Sequence, residues 1–359
     1  MTDDEVRRQC ARWLSHHGRD EPARVLTELA AAASSAADVV DVYGSGGAVG
    51  RLEARVATEL GKPAALFFIK GVTAQLAVLR MHGQEKRSGL VVLHPQSHIG
   101  TDEADALERA AGMQAVRIGR HLPFSIKDLE RVKEPVAAVV VELPLRRPGY
   151  LLPDLAELEA ISAWCRDRGV AFHLDGARLW EAAAGYGVSP AHIAALADTV
   201  YVSFYKGLGG LGGAAVAGSK EAIAALAVWK TRFGGDLVTA YPQALSALQG
   251  FDRHLPRMRE YVERARSLAR CFGRIPGVLV NPEQPQANSF QVLLRGTPDE
   301  LAARHVAMAQ RERAWMFGRF VESPLAGFSL SEVTIGAAAD AYTDDEAAGW
   351  MAQLAAPPK

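Results

Sequence analysis

Between about residues 60 and 218 the chain repeats one pattern, a short apolar, β-branched run followed by a longer helical stretch. AALFFI leads to TAQLAVLRMHG, LVVLHP to TDEADALERAAG, VAAVVVELP to DLAELEAISAWCRDRG, and VAFHLD to ARLWEAAAGYG. The runs are apolar throughout rather than alternating, so each predicts a strand buried on both faces. Strands joined through helices of this length predict a mostly parallel sheet covered by helices, an α/β architecture. TVYVSFYK and GGAAVAGS extend the sheet, a helix-rich stretch follows over residues 219–272, and the texture then changes. VLVNP, NSFQVLLRG and SEVTIGAAA, set around the helical TPDELAARHVAMAQRER, predict a smaller α+β C-terminal domain. The expected division is an N-terminal helical segment (1–40), a large α/β domain (41–250) and a small domain (251–359). The Ala-rich ELAAAASSAADVV near the first boundary is helix-competent.

Composition narrows the partners. Of 359 residues, 49% are hydrophobic, enough for one large core and a lesser one, and the formal net charge is -1. Without a broad cationic surface, neither nucleic acid nor an anionic membrane is an expected partner. Cys10, Cys165 and Cys271 are scattered and odd in number, with no companion at metal-ligand spacing, so neither a disulfide framework nor a metal site is expected. A reducing cytoplasm fits. MTDDEVRRQCARWLSHHGRDE has no secretory apolar core, and no later run is long enough to cross a bilayer.

YKGLGGLGG, residues 205–213, places Gly207, Gly209 and Gly212 in the spacing of a dinucleotide-binding turn. Such a turn must follow the first strand of its unit and open into a helix. These glycines come late in the sheet and lead into AAVAGS, which reads as another strand, so the fingerprint is rejected. The lysine in front of them carries more. Ligands of open α/β sheets lie beyond the carboxyl ends of the strands, and Lys206 ends the run TVYVSFY at such a place. One unit earlier VAFHLDGAR sets Asp175 at the end of its strand, with Arg178 three residues on. A lysine amine forms a Schiff base with pyridoxal 5'-phosphate, and a carboxylate keeps that cofactor's ring nitrogen protonated. The phosphate needs amides at a helix N-terminus, which Gly71, Val72 and Thr73 offer in FFIKGVTAQLAVL. Taken singly, Asp175 is equally a helix cap, Lys206 a surface lysine, Gly71 the end of a strand, and His98 of HPQSHIG a polar residue at a strand end. Their recurrence at successive strand ends favours a cofactor site.

HLDGARLWEAA followed by SFYKGLGG resembles the threonine aldolase and β-eliminating lyase family of pyridoxal-phosphate enzymes, of the aspartate aminotransferase-like fold type I. The resemblance runs from DVYGSGGAVGRLEARVATELGKPAALFFIKGVTAQLA through QSHIGTDEADALERAAG to WKTRFGGD, roughly residues 41–240. It implies that Lys206 carries the internal aldimine, that Asp175 pairs with the pyridinium nitrogen, and that Arg178 reaches the ring oxygen or the substrate carboxylate. It implies that His98 stacks on the cofactor and moves protons, and that Gly71, Val72 and Thr73 hold the phosphate, Val72 standing where the family has a hydroxyl residue. A homodimer or homotetramer is implied as well.

The departures lie on the substrate side. The family's SDTVT is absent, and its ENTH is replaced by Glu142, Leu143, Pro144 and Leu145, which removes the histidine that addresses the β-hydroxyl. Its RLVT is matched by Ser331, Glu332, Val333 and Thr334, and an arginine past the GG turn is lost at Val238. Arg146 and Arg147 are either a replacement anchor or two solvated loop residues. The expected activity is retro-aldol cleavage of L-threonine or a related β-hydroxy-α-amino acid to glycine and an aldehyde, with His98 as the base. The alternatives are β-elimination, racemisation or another lyase step on a different amino acid, or a non-catalytic relative, against which the retained Lys206, Asp175 and Arg178 speak.

Overall fold

A computed structural model describes residues 2–19, 21–33 and 39–356. Two compact units divide the chain: Pro22–Pro256, and a second made of Met1–Glu21 with Arg257–Lys359. The N-terminal residues up to Glu21 thus group with the C-terminal part of the chain. A helix covers Pro22–Ala32; Ser34 to Asp38 of the Ala-rich stretch lie outside the described residues.

The larger unit is built on a seven-stranded sheet. Its strands are β1 (Ala64–Phe68), β2 (Leu90–Leu93), β3 (Gln114–Arg117), β4 (Ala138–Glu142), β5 (Ala171–Gly176), β6 (Thr199–Ser203) and β7 (Ala214–Gly218). They lie in the order β1-β7-β6-β5-β4-β2-β3. All pairings are parallel except those of β7, which runs antiparallel to both β1 and β6. Strands β4 to β7 are buried at every position, as continuous apolar runs require when helices cover both faces. The covering helices include α1 (Gly47–Leu60), α2 (Gly71–Lys86), α3 (His98–Thr101), α4 (Leu155–Arg168), α5 (Leu179–Tyr186), α6 (Lys220–Arg232) and α7 (Tyr241–His254). Trp180 of α5 and Phe251 of α7 meet edge to face at 5.2 Å between ring centroids, both fully buried.

In the smaller unit β8 (Val278–Asn281), β9 (Ser289–Arg295) and β10 (Phe328–Thr334) form an antiparallel sheet with the short strand Val321–Glu322. The helix Pro298–Glu312 starts with a capping box between Thr297 and Glu300. Near the chain start, Arg12–Trp13 pairs in parallel with Ala314–Trp315. This is the α+β texture read from VLVNP, NSFQVLLRG and SEVTIGAAA.

Three of the four buried histidines, those pulled down furthest, make the fold sensitive to acid. Burial pulls His82 down to about 4, His173 to about 3 and, in the smaller unit, His305 to about 4. All three are therefore neutral in the folded chain at pH 6.5, where an unfolded histidine begins to take a proton. Their contribution is complete above that pH and is lost as pH falls toward 4, at about 1.4 kcal/mol per histidine per pH unit. The melting temperature is expected to drop steadily from pH 6.5 to 4.5; a flat profile in thermal melts across that interval would contradict the neutral assignment.

Candidate active site

The carboxyl ends of the parallel strands form one row of functional groups. Register pairs Glu142 of β4 with Asp175 of β5, and Asp175 with Tyr201 of β6, so the three side chains leave the sheet on the same face. Asp175 is 2% exposed, and its Oδ1 accepts from the Ala177 amide at 3.3 Å. Burial raises its carboxyl above the ordinary range, and the Lys206 and His98 charges act against that rise. Glu142 is pushed up to about 7, by burial first and by Asp175 next.

Lys206 stands three residues beyond the strand that precedes it. The run TVYVSFY reads as strand to Tyr205, but β6 ends at Ser203 because Phe204 turns its backbone to the glycine loop. Its N–H donates to Gly213 O at 3.2 Å, and its C=O accepts from Gly210 N at 2.8 Å. Gly213 closes this loop at φ +89°, and a Cβ there would lie 2.7 Å from the Phe67 ring. The glycines of YKGLGGLGG thus form a compact turn that lifts Lys206 off the strand end and lead directly into β7, not into a helix. Burial, and after it the Arg178 charge, pull the Lys206 ammonium down to about 8, while Asp175, Glu142 and Glu181 act the other way.

His98 opens α3, five residues past the end of β2. Its backbone N–H donates to Glu142 Oε2 at 2.7 Å, and its Nδ1 lies 2.7 Å from Glu103 Oε1. That carboxylate bond, the largest influence on the ring, raises its basicity, and Asp175 adds to the rise. Since a carboxylate only accepts, Nδ1 carries the proton and Nε2 is left as the basic atom. Arg178, at the start of α5, holds its guanidinium 5.1 Å from the centroid of the buried Tyr150 ring.

Gly71 begins α2 directly behind β1, and a Cβ on it would fall 2.1 Å from Tyr201 Oη. Only glycine lets the helix start so close to β6. The first-turn amides of Gly71, Val72 and Thr73 have no intrahelical acceptors, and no side-chain cap covers them from Lys70. Nearby on β6, Ser203 is buried with its Oγ lacking a hydrogen-bond partner. Ser203 lies on the same strand face as Tyr201, whose hydroxyl reaches Gly71. A buried hydroxyl with no neighbour but the Tyr201 hydroxyl, beside open helix-start amides, suits a phosphate oxygen. The donor set therefore fits pyridoxal phosphate: amides and a hydroxyl suited to its phosphate, a carboxylate suited to its ring nitrogen, and an amine of lowered basicity.

The structure thus brings Lys206, Asp175, Arg178, His98 and the Gly71 turn to one end of the sheet. Reading along the chain missed Glu142, Glu181, Tyr201 and Ser203. Ser203 and Tyr201 were accessible through strand alternation before Lys206. Glu181 was not; it is buried on α5, and burial raises its carboxyl while Arg178, Lys206 and the Gly207 amide favour its charged form.

Of the substituted positions, Leu145 is 2% exposed and pairs with Leu151, its N–H donating to Leu151 O at 2.8 Å. Arg147 donates to Asp102 through both Nε and Nη2, and Arg146 Nη1 lies 3.9 Å from the same carboxylate. The two arginines are therefore drawn to Asp102. Val238 is exposed and accepts the Tyr43 amide at its carbonyl, 3.0 Å. In the smaller unit Ser331 donates its hydroxyl to Arg319 O at 2.8 Å.

Comparison with known proteins agrees with this geometry. A solved structure from Listeria monocytogenes EGD-E, described as a candidate L-allo-threonine aldolase, superposes with a TM-score of 0.91 at 34% identity, over 98% of both chains. The aldolase vrtJ of Penicillium aethiopicum is 35% identical over 181 residues, 47% of this chain; the match spans about half (45%) of that relative's length. Low-specificity L-threonine aldolase 1 of Arabidopsis thaliana is 25% identical over 260 residues, 69% of this chain and 72% of the relative. The family model for β-eliminating lyases matches residues 20–294. With most of its length inside that match and the strand-end groups in place, the chain belongs to the β-eliminating lyase family.

Proposed function

We propose that the protein is a pyridoxal-phosphate-dependent lyase that cleaves the Cα–Cβ bond of L-threonine or a related β-hydroxy-α-amino acid, releasing glycine and an aldehyde. The observation that carries this reading is the meeting of Lys206 with Asp175 beyond adjacent strand ends, beside the Gly71 turn and the Ser203 hydroxyl.

Lys206 would be the covalent attachment point: with its ammonium lowered to about 8, roughly a tenth of the amine is neutral at pH 7, far more than for an ordinary lysine, and so able to act as a nucleophile. Asp175 would hold the ring nitrogen, and the Gly71, Val72 and Thr73 amides with Ser203 would hold the phosphate. When bound, the cofactor supplies an electron sink for the pair released at Cα. Arg178 offers a planar guanidinium to the substrate carboxylate or the ring oxygen. His98 takes the β-hydroxyl proton at Nε2, since Glu103 holds Nδ1; the Cβ–O bond becomes a carbonyl as Cα–Cβ breaks, and a proton returned to Cα completes glycine.

A second reading has its own observation. Where the family's ENTH has a histidine, Leu145 is buried and apolar. β-Elimination or racemisation of an amino acid without threonine's hydroxyl needs no histidine at that position. The reading as a whole takes residues 41–250 as the cofactor-binding domain and 251–359 as the small domain, in a cytoplasmic homodimer or homotetramer. The free Cys10, Cys165 and Cys271 support a reducing compartment. Among the described residues no helix is long and apolar enough to cross a membrane.

The purified protein is expected to show a visible absorbance that borohydride abolishes, with the mass label on the Lys206 peptide. It is also expected to release acetaldehyde from L-threonine or L-allo-threonine with saturation. Colourless protein that takes up no added pyridoxal phosphate would overturn the cofactor; a labelled Lys206 without aldehyde from either substrate would leave the second reading.

A further inference from the structure

Beneath the row of strand-end groups runs a buried chain of polar side chains. His173 precedes Asp175 by two residues on β5 and leaves the sheet on the same face. Its Nε2 lies 2.8 Å from Gln75 Oε1, and its Nδ1 lies 2.9 Å from Thr199 Oγ1 of β6. Thr199 Oγ1 lies 3.0 Å from His82 Nε2. Gln75 and His82 are both on α2, and all four residues are buried, His173 and Thr199 completely.

The proton positions follow from the partners. An amide oxygen only accepts, so His173 Nε2 carries a hydrogen and donates to Gln75. His173 Nδ1 is then an acceptor, and the Thr199 hydroxyl donates to it. Having used its proton, Thr199 Oγ1 accepts from His82 Nε2–H. Each hydrogen has one donor and one acceptor, and both imidazoles are neutral because burial outweighs the charges near them, of which the Glu85 carboxylate lies 3.9 Å from His82 Nδ1. Neutral buried bonds of this kind hold direction as well as distance, because breaking one leaves a polar atom without water.

What the chain joins gives it a use. At one end is β5, which two residues later presents Asp175. At the other is α2, whose first turn is Gly71, Val72 and Thr73, with Gln75 only two residues further on. We propose that His173 is a positioning residue for the cofactor, its Nε2–H bond to Gln75 holding the start of α2 at a set distance and rotation from Asp175 so that phosphate and ring nitrogen are engaged together. The inference rests on the reading that the Gly71 turn and Asp175 hold pyridoxal phosphate. Apolar packing between α2 and the sheet supplies the stability and the coarse register, and the directional bond narrows the remaining distance and rotation, because breaking it leaves a buried polar atom unpaired.

The two nitrogens of His173 are separable by substitution. His173→Gln retains an amide N–H placed like Nε2 and keeps the link to Gln75. His173→Asn retains an acceptor placed like Nδ1, keeps the link to Thr199 and drops Gln75. Gln75→Leu cuts the same bond from the other side. Each variant and the wild-type protein are stripped of cofactor and titrated with pyridoxal phosphate, following visible absorbance, and the melting temperature of each cofactor-free form is recorded.

The expected result is a cofactor Kd raised about tenfold in His173→Asn and in Gln75→Leu, as the loss of about 1.4 kcal/mol from one neutral hydrogen bond implies. His173→Gln is expected within about threefold of wild type, and the double variant His173→Asn with Gln75→Leu no weaker than either single one. If all variants bind the cofactor as wild type does and differ only in melting temperature, the bond is structural and the proposal fails. Equal weakening in His173→Gln and His173→Asn also overturns it, by removing the role of Nε2. Should wild-type protein itself not bind pyridoxal phosphate, the underlying reading has failed instead.

Discussion

Replacement of Lys206 by alanine is expected to remove the borohydride-sensitive absorbance and to lower aldehyde release by at least about a thousandfold, the scale seen when a covalent nucleophile is deleted. Lys206→Arg should do the same although it keeps the charge, because a guanidinium does not give up its proton near neutral pH. The paired variants therefore separate two demands on this residue. A cation among Asp175, Glu142 and Glu181 is satisfied by arginine, whereas a neutral amine is not. Folding should survive in both, since the glycine turn is held by the backbone bonds of Phe204 and not by the lysine side chain. Steady-state aldehyde release together with an absorbance spectrum before and after borohydride decides the matter. Retention of a tenth of wild-type activity in either variant would exclude Lys206 as the attachment point.

Asp175→Asn is expected to lower kcat by about 10²–10⁴-fold, about 3–5 kcal/mol of barrier, since an uncharged amide no longer keeps the cofactor's ring nitrogen protonated as an electron sink. The amide is nearly the same size, so the Ala177 N–H keeps an acceptor and β5 keeps its register with β4 and β6. What disappears is a negative charge in the middle of the row. Two neighbours should register the loss. Glu142, pushed up to about 7 partly by Asp175, should ionise more easily, and Lys206 should lose one of the charges that favour its ammonium. The measurement is kcat against KM on cofactor-saturated protein, beside a titration of cofactor affinity. A large rise in KM with kcat unchanged would assign Asp175 to substrate binding instead of to the reacting system.

Much of this site was legible one residue at a time. Asp175 and Lys206 could be placed because each ends an apolar run, and in an open α/β sheet the carboxyl ends of such runs are where ligands lie. The Gly71 turn was legible for the same reason. Glu142 was visible in VAAVVVELP only as a residue after a strand; that its carboxyl caps the His98 amide and also accepts from Arg146 N at 3.2 Å depends on β4 lying between β2 and β5. Arg146 and Arg147 looked like either an anchor or solvated loop residues, and their convergence on Asp102, 44 and 45 residues away in the chain, was not legible in the sequence. β3 was missed because its residues are partly exposed at the sheet margin and carry no continuous apolar run.

The fold class and the residue type at each strand end were determined by the sequence, because the period of a buried strand, the length of a connecting helix and the glycines of a turn are local properties. Strand order, the antiparallel direction of β7 and the neighbours of Lys206 were decided only by the tertiary structure. Alanine-rich AAVAG pairs equally well in either direction, and nothing near Lys206 in the chain indicates Glu142, Glu181 or the His173 to Gln75 bond. Those neighbours meet because close packing of helices on both sheet faces selects one register among many, and a strand shift of a single residue would turn Glu142 or His173 to the other face.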